Sequence, residues 1–132
     1  MKTLNKELLE IREGLTYETD SSEPFTGIAE DYTYHHMSDI WTLHGIESYK
    51  KGKKHGPWKL FHDDGSLRVI AHFKDNKKDG IHESYSAEGN LMYRCSFRNN
   101  KEHGIEERFD SSGQMKSKIA FSNGKKLNKV DD

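Results

Sequence analysis

The sequence predicts a mainly β protein, a single antiparallel β-meander of stacked hairpins with a short N-terminal cap segment. Three observations carry this. A period of 24 residues runs through 56–127: Gly56, Gly80 and Gly104 share a column, as do Gly65, Gly89 and Gly113, then Phe61, Tyr85 and Phe109, then Leu67, Leu91 and Met115, then Phe73, Phe97 and Phe121. Each unit alternates with period two, as in Leu67, Val69, Ala71, Phe73 and in Leu91, Tyr93, Cys95, Phe97, the pattern of a half-buried strand. The turn chemistry recurs in register, with Gly ending Asp63-Asp64-Gly65, Ala87-Glu88-Gly89 and Ser111-Ser112-Gly113.

Along the chain, residues 1–26 read as the cap. Leu4, Leu8 and Ile11 stand at helical spacing, which predicts a small helix, and Leu15 with Tyr17 alternate as in a strand. Residues 27–127 form the repeat domain. Its first unit, 27–55, is degenerate: Gly27 and Tyr32 keep the step from glycine to aromatic, and an insertion of five residues separates Tyr32 from Tyr49. The regular units are 56–79, 80–103 and 104–127, and 128–132 is expected to be a flexible tail, with fraying from 125 onward. A single hairpin is marginal alone, so stacking into one sheet of about seven to nine strands at ~4.8 Å spacing is what buries the aromatic columns. A three-residue loop pairs Phe61 with Leu67, Lys59 with Val69 and Pro57 with Ala71. That register places Trp58, Leu60, Ile70, Met92 and Arg94 together on the reverse face, where the equivalent positions turn charged along the array.

The chain has 132 residues, enough for one domain, with 32% hydrophobic and 33% charged residues, so its core is thin. An aromatic share of 11% argues against disorder. The net charge of −1 conceals an acidic head, three Lys/Arg against eight Asp/Glu in 1–31, and a mildly basic body; neither announces a nucleic-acid or membrane binder. Cys95 is the single cysteine, which excludes an intrachain disulfide, and the N-terminus lacks the apolar core of a signal peptide; a cytoplasmic protein is expected. His35, His36 and His44 cluster in the insertion without the Cys or carboxylate set of a metal site. No serine sits in a nucleophile elbow, and Glu106 and Glu107 point to opposite faces of a strand. The expectation is a protein without cofactor, metal or enzymatic activity.

The motifs Gly-x-Trp-x-x-Phe at Gly56, Asp-Gly-x-Leu at Asp64 and Phe-x-x-Asn-x-Lys-x-x-Gly at Phe73 resemble the MORN repeat in its bacterial variant form. The lead-in Arg12-Glu13-Gly14-Leu15-Thr16-Tyr17 and Glu23-Pro24-Phe25-Thr26-Gly27 resembles the opening of MORN-variant proteins of the YwqK antitoxin type. The resemblance implies an antitoxin or immunity protein of a contact-dependent or similar system. Such a protein would hold a cognate toxin C-terminal domain, nuclease or deaminase, in a 1:1 complex by occlusion, with the antitoxin itself a monomer. The interface candidates are the apolar and aromatic residues Trp58, Leu60, Ile70 and Met92, with Arg94, Tyr34 and Trp41 of hot-spot type and the acidic Glu18, Asp20 and Glu23 to oppose a basic cleft. The competing reading is a scaffold that binds anionic phospholipid or RNA through the lysines between hairpins, Lys50, Lys51, Lys53, Lys54, Lys74, Lys77, Lys78, Arg98, Lys101, Lys125 and Lys126.

Overall fold

The computed structural model describes residues 2–129. Thirteen strands follow one another: β1 (Lys2–Asn5), β2 (Leu9–Arg12), β3 (Leu15–Glu18), β4 (Gly27–His35), β5 (Ile40–Lys50), β6 (Lys53–Phe61), β7 (Leu67–Lys74), β8 (Lys77–Lys78), β9 (Gly80–Tyr85), β10 (Leu91–Arg98), β11 (Lys101–Phe109), β12 (Met115–Ser122) and β13 (Lys125–Lys129). Eleven of them make one sheet in the order β1-β4-β5-β6-β7-β9-β10-β11-β12-β13 with β8 beside β7, and β2 and β3 form a separate hairpin. The meander is antiparallel throughout except for β1, which lies parallel to β4.

Two turn types alternate, one at each rim. At one rim, Lys51-Gly52, Asp75-Asn76, Asn99-Asn100 and Asn123-Gly124 occupy the central positions of two-residue turns with positive φ at both residues, the geometry that matches strand twist. These turns stack. The Asn76 amide donates to the Lys54 carbonyl at 2.9 Å, Asn100 to Lys78 at 2.9 Å and Gly124 to Glu102 at 2.8 Å. The Lys54 and Lys78 amides return bonds to the Asn76 and Asn100 side chains at 2.8 Å. At the other rim, named the Asp-Gly rim after Asp64-Gly65, the glycine loops close with the amides of His62, Ser86 and Asp110 donating to the carbonyls of Ser66, Asn90 and Gln114, each at 2.8 Å. The repeat therefore specifies both its hairpins and the seams between them.

The expected loop length holds, but the register next to it is corrected. Phe61 pairs with Leu67, after which Leu60 pairs with Val69, Lys59 with Ile70, Trp58 with Ala71 and Gly56 with Phe73. Arg68 is an extra residue, a bulge that inverts the parity of everything beyond it. The same irregularity recurs between Leu91 and Tyr93 and beside Phe109. Trp58 and Leu60 consequently share a face with Val69, Ala71 and Phe73, here called the inner face. Ile70 and Arg94 lie on the opposite, outer face, and Phe61 alternates onto it as well.

Burial concentrates in one row of the inner face that crosses the whole sheet. Leu4, Ala29, Glu47, Trp58 and Ala71 are successive cross-strand partners. One residue beyond the Ile70–Glu83 pair, the row continues through His82, Cys95, Glu106 and Ile119. Ala29, Ala71 and Cys95 are 0%, 1% and 0% exposed. Each small residue lies between two large ones, which cover it: Trp58 and His82 flank Ala71, and His82 and Glu106 flank Cys95. Trp58 meets Phe73 edge to face at 5.8 Å, and His82 meets Tyr93 and Phe97 at 5.6 and 5.8 Å. Lys54 and Lys78 lie over Phe73 and Phe97 at 5.3 and 5.1 Å.

The N-terminal segment caps this array as expected, though not as a helix. Leu4 belongs to β1, only Lys6–Leu8 form a single helical turn capped by the Asn5 side chain, and Ile11 lies exposed in β2. An isolated helix this short is marginal, whereas β1 pairs along the open edge of β4. Gly27 permits that approach, because a Cβ there would stand 2.2 Å from the Lys2 carbonyl oxygen. Phe25, Ala29 and Tyr49 form the cap's core, with Leu4 and Leu9 packed against it. The buried Glu47 carboxylate accepts from Tyr49 Oη at 2.5 Å and from Lys6 Nζ at 3.2 Å. Its burial opposes ionisation, but these two partners outweigh it and hold its pKa below the ordinary carboxylate range. The sheet has more strands than expected, and Lys125–Lys129, at the start of the expected fraying tail, is strand β13, paired with β12. The rest of the predicted tail, 130–132, lies outside the described residues.

His82 gives the array a measurable acid sensitivity. Burial, aided by the charge of Lys78, pushes its imidazole pKa below the ordinary value. The neutral form is favoured by folding, so this stabilisation is complete above the unfolded pKa near 6.5 and is lost as pH falls toward the folded value. Thermal unfolding should therefore shift to lower temperature between pH 7.5 and 5.5, and His82→Phe should flatten that slope.

Candidate protein-binding arm

Strands β4 and β5 outrun their neighbours. β1 pairs with β4 only from Gly27 to Glu30, and β6 pairs with β5 only from Gly45 to Lys50. Past Asp31, paired with Gly45, a bulge at His44 resets the register and four further pairs follow: Tyr32–Leu43, Thr33–Thr42, Tyr34–Trp41 and His35–Ile40. A turn of His36 to Asp39 closes the hairpin, with Asp39 at φ 55° and its amide bonded to the His35 carbonyl at 2.8 Å. The insertion read from the sequence is thus an arm, a two-stranded projection at the Asp-Gly rim of the sheet.

One side of the arm is aromatic. The Tyr34 ring lies 5.0 Å from that of Trp41 and is met edge-on by His36 at 4.7 Å. The Tyr34 hydroxyl donates to the Asp39 carboxylate, which raises the tyrosine pKa. On the other side His35 Nε2 and Thr42 Oγ1 are 2.7 Å apart. Each side thus carries contacts of its own, yet Trp41 is 60% exposed, Ile40 51% and Met37 102%. Residues 32–44 contain one Asp or Glu and no Lys or Arg, in a chain that is one-third charged, and that residue, Asp39, is bonded to Tyr34. Solubility and fold stability do not require such a segment.

The interface candidates fall into three groups. Tyr34 and Trp41 belong to the arm, and by strand alternation their side continues the outer face. There the row Glu30, Ile46, Lys59, Ile70, Glu83, Arg94, Glu107 and Lys118 crosses the sheet. Ile70 is half-buried in that row, and Arg94 bridges Glu83 at 2.8 Å and Glu107 at 3.9 Å. The placement of Trp58, Leu60 and Met92 on that same face is overturned by the bulge. Trp58 and Leu60 pack on the inner face, and a Cβ on Gly45 would meet the Leu60 side chain at 2.8 Å. Met92, a bulge residue, lines a shallow inner-face depression of about 500 Å³ with Tyr93, Arg108, Phe109 and Lys116. The third group, Glu18, Asp20 and Glu23, lies at the cap; Glu18 is bonded to Lys2, while Asp20 and Glu23 are exposed.

Tyr32, Met37 and Ile40 were not singled out from the sequence, although the run from 32 to 44, nearly free of charge, marks all three. Among the described residues no three His, Cys, Asp or Glu side chains converge as metal ligands, and no helix is long and apolar enough to cross a membrane. The basic rim is real but mixed: Lys53, Lys74, Lys77 and Arg98 surround a groove of about 510 Å³ that also contains Asp75 and Asp79.

The two tryptophans should separate in a stability measurement. Trp58→Ala removes the cover of Ala71 and should cost about 2 kcal/mol or more in urea unfolding. Trp41→Ala should change it by no more than about 0.5 kcal/mol, the range of exposed substitutions.

The period, the stacked turns and the bulged hairpins agree with the one family comparison that matches. The model described as MORN repeat variant covers residues 54–75, 78–99 and 102–127. Among curated proteins and among solved structures no match reaches significance. With more than half of the chain matched, the protein belongs to the MORN repeat variant family.

Proposed function

We propose that this protein is an antitoxin of the immunity type, which neutralises a cognate toxin domain by stoichiometric occlusion, and that the arm is its principal anchor. The observation that supports this is the exposed aromatic side of the arm, where Tyr34 and Trp41 pack against each other. Large aromatics held rigid before binding lose little entropy on docking, which is how a small number of residues comes to dominate a protein interface. The outer face beside the arm extends the surface with Ile70 and with the charge row through Arg94. Its alternating signs suit orientation of a partner more than affinity for it. The likeness to YwqK-type antitoxins in 12–17 and 23–27 supports the choice of a toxin as partner.

The lysine rim supports the second reading, an anionic phospholipid or RNA, less well. Asp75 and Asp79 interrupt it, and its turn residues Asn76 and Asn100 already serve the bonds between repeats. A mixed rim of this kind also keeps the sheet soluble and discourages edge association.

Binding kinetics test the proposal. In a complex with a candidate toxin domain drawn from a neighbouring gene, Trp41→Ala should raise the dissociation rate about thirtyfold, the effect of losing a hot spot worth about 2 kcal/mol. Exchanging Asp20 and Glu23 for Asn and Gln should instead slow association and reduce its salt dependence. Unchanged dissociation in Trp41→Ala would remove the arm from the interface.

A further inference from the structure

We infer that the outer edge of β4 at residues 31–35 is a strand-addition site, which takes an extended, uncharged segment of the protein partner. This rests on the reading of the protein as a stoichiometric binder and states how the partner engages it. The edge already holds a strand over part of its length: β1 lies along it from Gly27 to Glu30, then leaves through the helical turn Lys6–Leu8. From Asp31 to His35 the same edge continues with β5 on one side and no strand on the other. Among the described residues no strand pairs with that side, and an extended chain added there would satisfy the row of main-chain donors and acceptors in sequence.

The last edge of the array is guarded, and this one is not. β13, the far edge, presents Lys125 and Lys126, the kind of residue that discourages pairing with another chain. Residues 32–44 contain no Lys, Arg or Pro. The character of the occupant follows from the side chains that would flank it. Tyr32 and Tyr34 stand on one side of β4, Thr33 and His35 on the other, so an added strand meets aromatic rings at every second residue and hydrogen-bonding groups between them. Residues 32–35, which would flank the added strand, carry no Asp, Glu, Lys or Arg to pair with a charged side chain buried against them. The occupant is a segment of about five residues, ~17 Å long, that alternates apolar side chains with hydroxyl or amide ones.

Amide hydrogen exchange on the full chain, free and mixed with a candidate toxin domain drawn from a neighbouring gene, tests the assignment. Alternate amides within 31–35 should exchange at least tenfold more slowly in the complex, and Thr33→Lys should weaken binding at least tenfold while leaving thermal unfolding unchanged. A complex that forms while 31–35 exchange as in the free chain overturns strand addition and leaves the binder reading standing. If no complex forms, the binder reading fails and the edge assignment with it.

Discussion

In a sheet of eleven strands with a two-stranded cap at one end, most of the length has no second layer to bury apolar side chains against. Large side chains must cover small ones within the same face. The inner row does this, with Trp58 and His82 over Ala71 and with His82 and Glu106 over Cys95. Everything else follows from keeping that row aligned. The bulges set its parity, the stacked two-residue turns hold adjacent hairpins at a fixed offset, and Gly56, Gly80 and Gly104 take φ of 100°, 114° and 116° where the strand bends back into register. At the N-terminal end the row terminates on Leu4 of β1, which is why a segment that reads as a helix is drawn out as a strand.

The fold was legible because its causes repeat. A 24-residue period with alternating apolar residues and glycine at fixed positions leaves a stacked meander as the structure that satisfies every unit at once. The sidedness was not legible, since a bulge adds one residue without altering the composition of the turn beside it, and that residue exchanges the faces. Trp58 looks like an unsupported apolar residue when its hairpin is drawn without Arg68 as a bulge, and like the central cover of the core when drawn with it. Tyr34 and Trp41 were found because an insertion interrupts the period, a signal that does not depend on register. The polar cluster of the cap, where Lys6 meets Glu47 across 41 positions of sequence and Tyr49 joins them, has no local pattern that would reveal it.

The division of labour between array and arm follows from the same constraint. Substitution within the inner row disturbs cross-strand neighbours on both sides, so the array has little freedom to vary there. The arm extends beyond the paired region of both neighbours, and its side chains can change without disturbing the row. A rigid repeat array can support one element free to vary, and the degenerate first unit provides the place for it. The exposed aromatics of the arm cost the array nothing in packing, which is consistent with a role outside the fold.

The central claim is that the array folds without the arm and binds through it. Removing residues 33–42 and joining Tyr32 to Leu43 through Asn-Gly, a two-residue turn of the type used at the opposite rim, separates the two. The claim predicts that this shortened chain unfolds at the temperature of the intact one and no longer neutralises, at equimolar concentration, a toxin domain that the intact chain neutralises. Full inhibition by the shortened chain would contradict it.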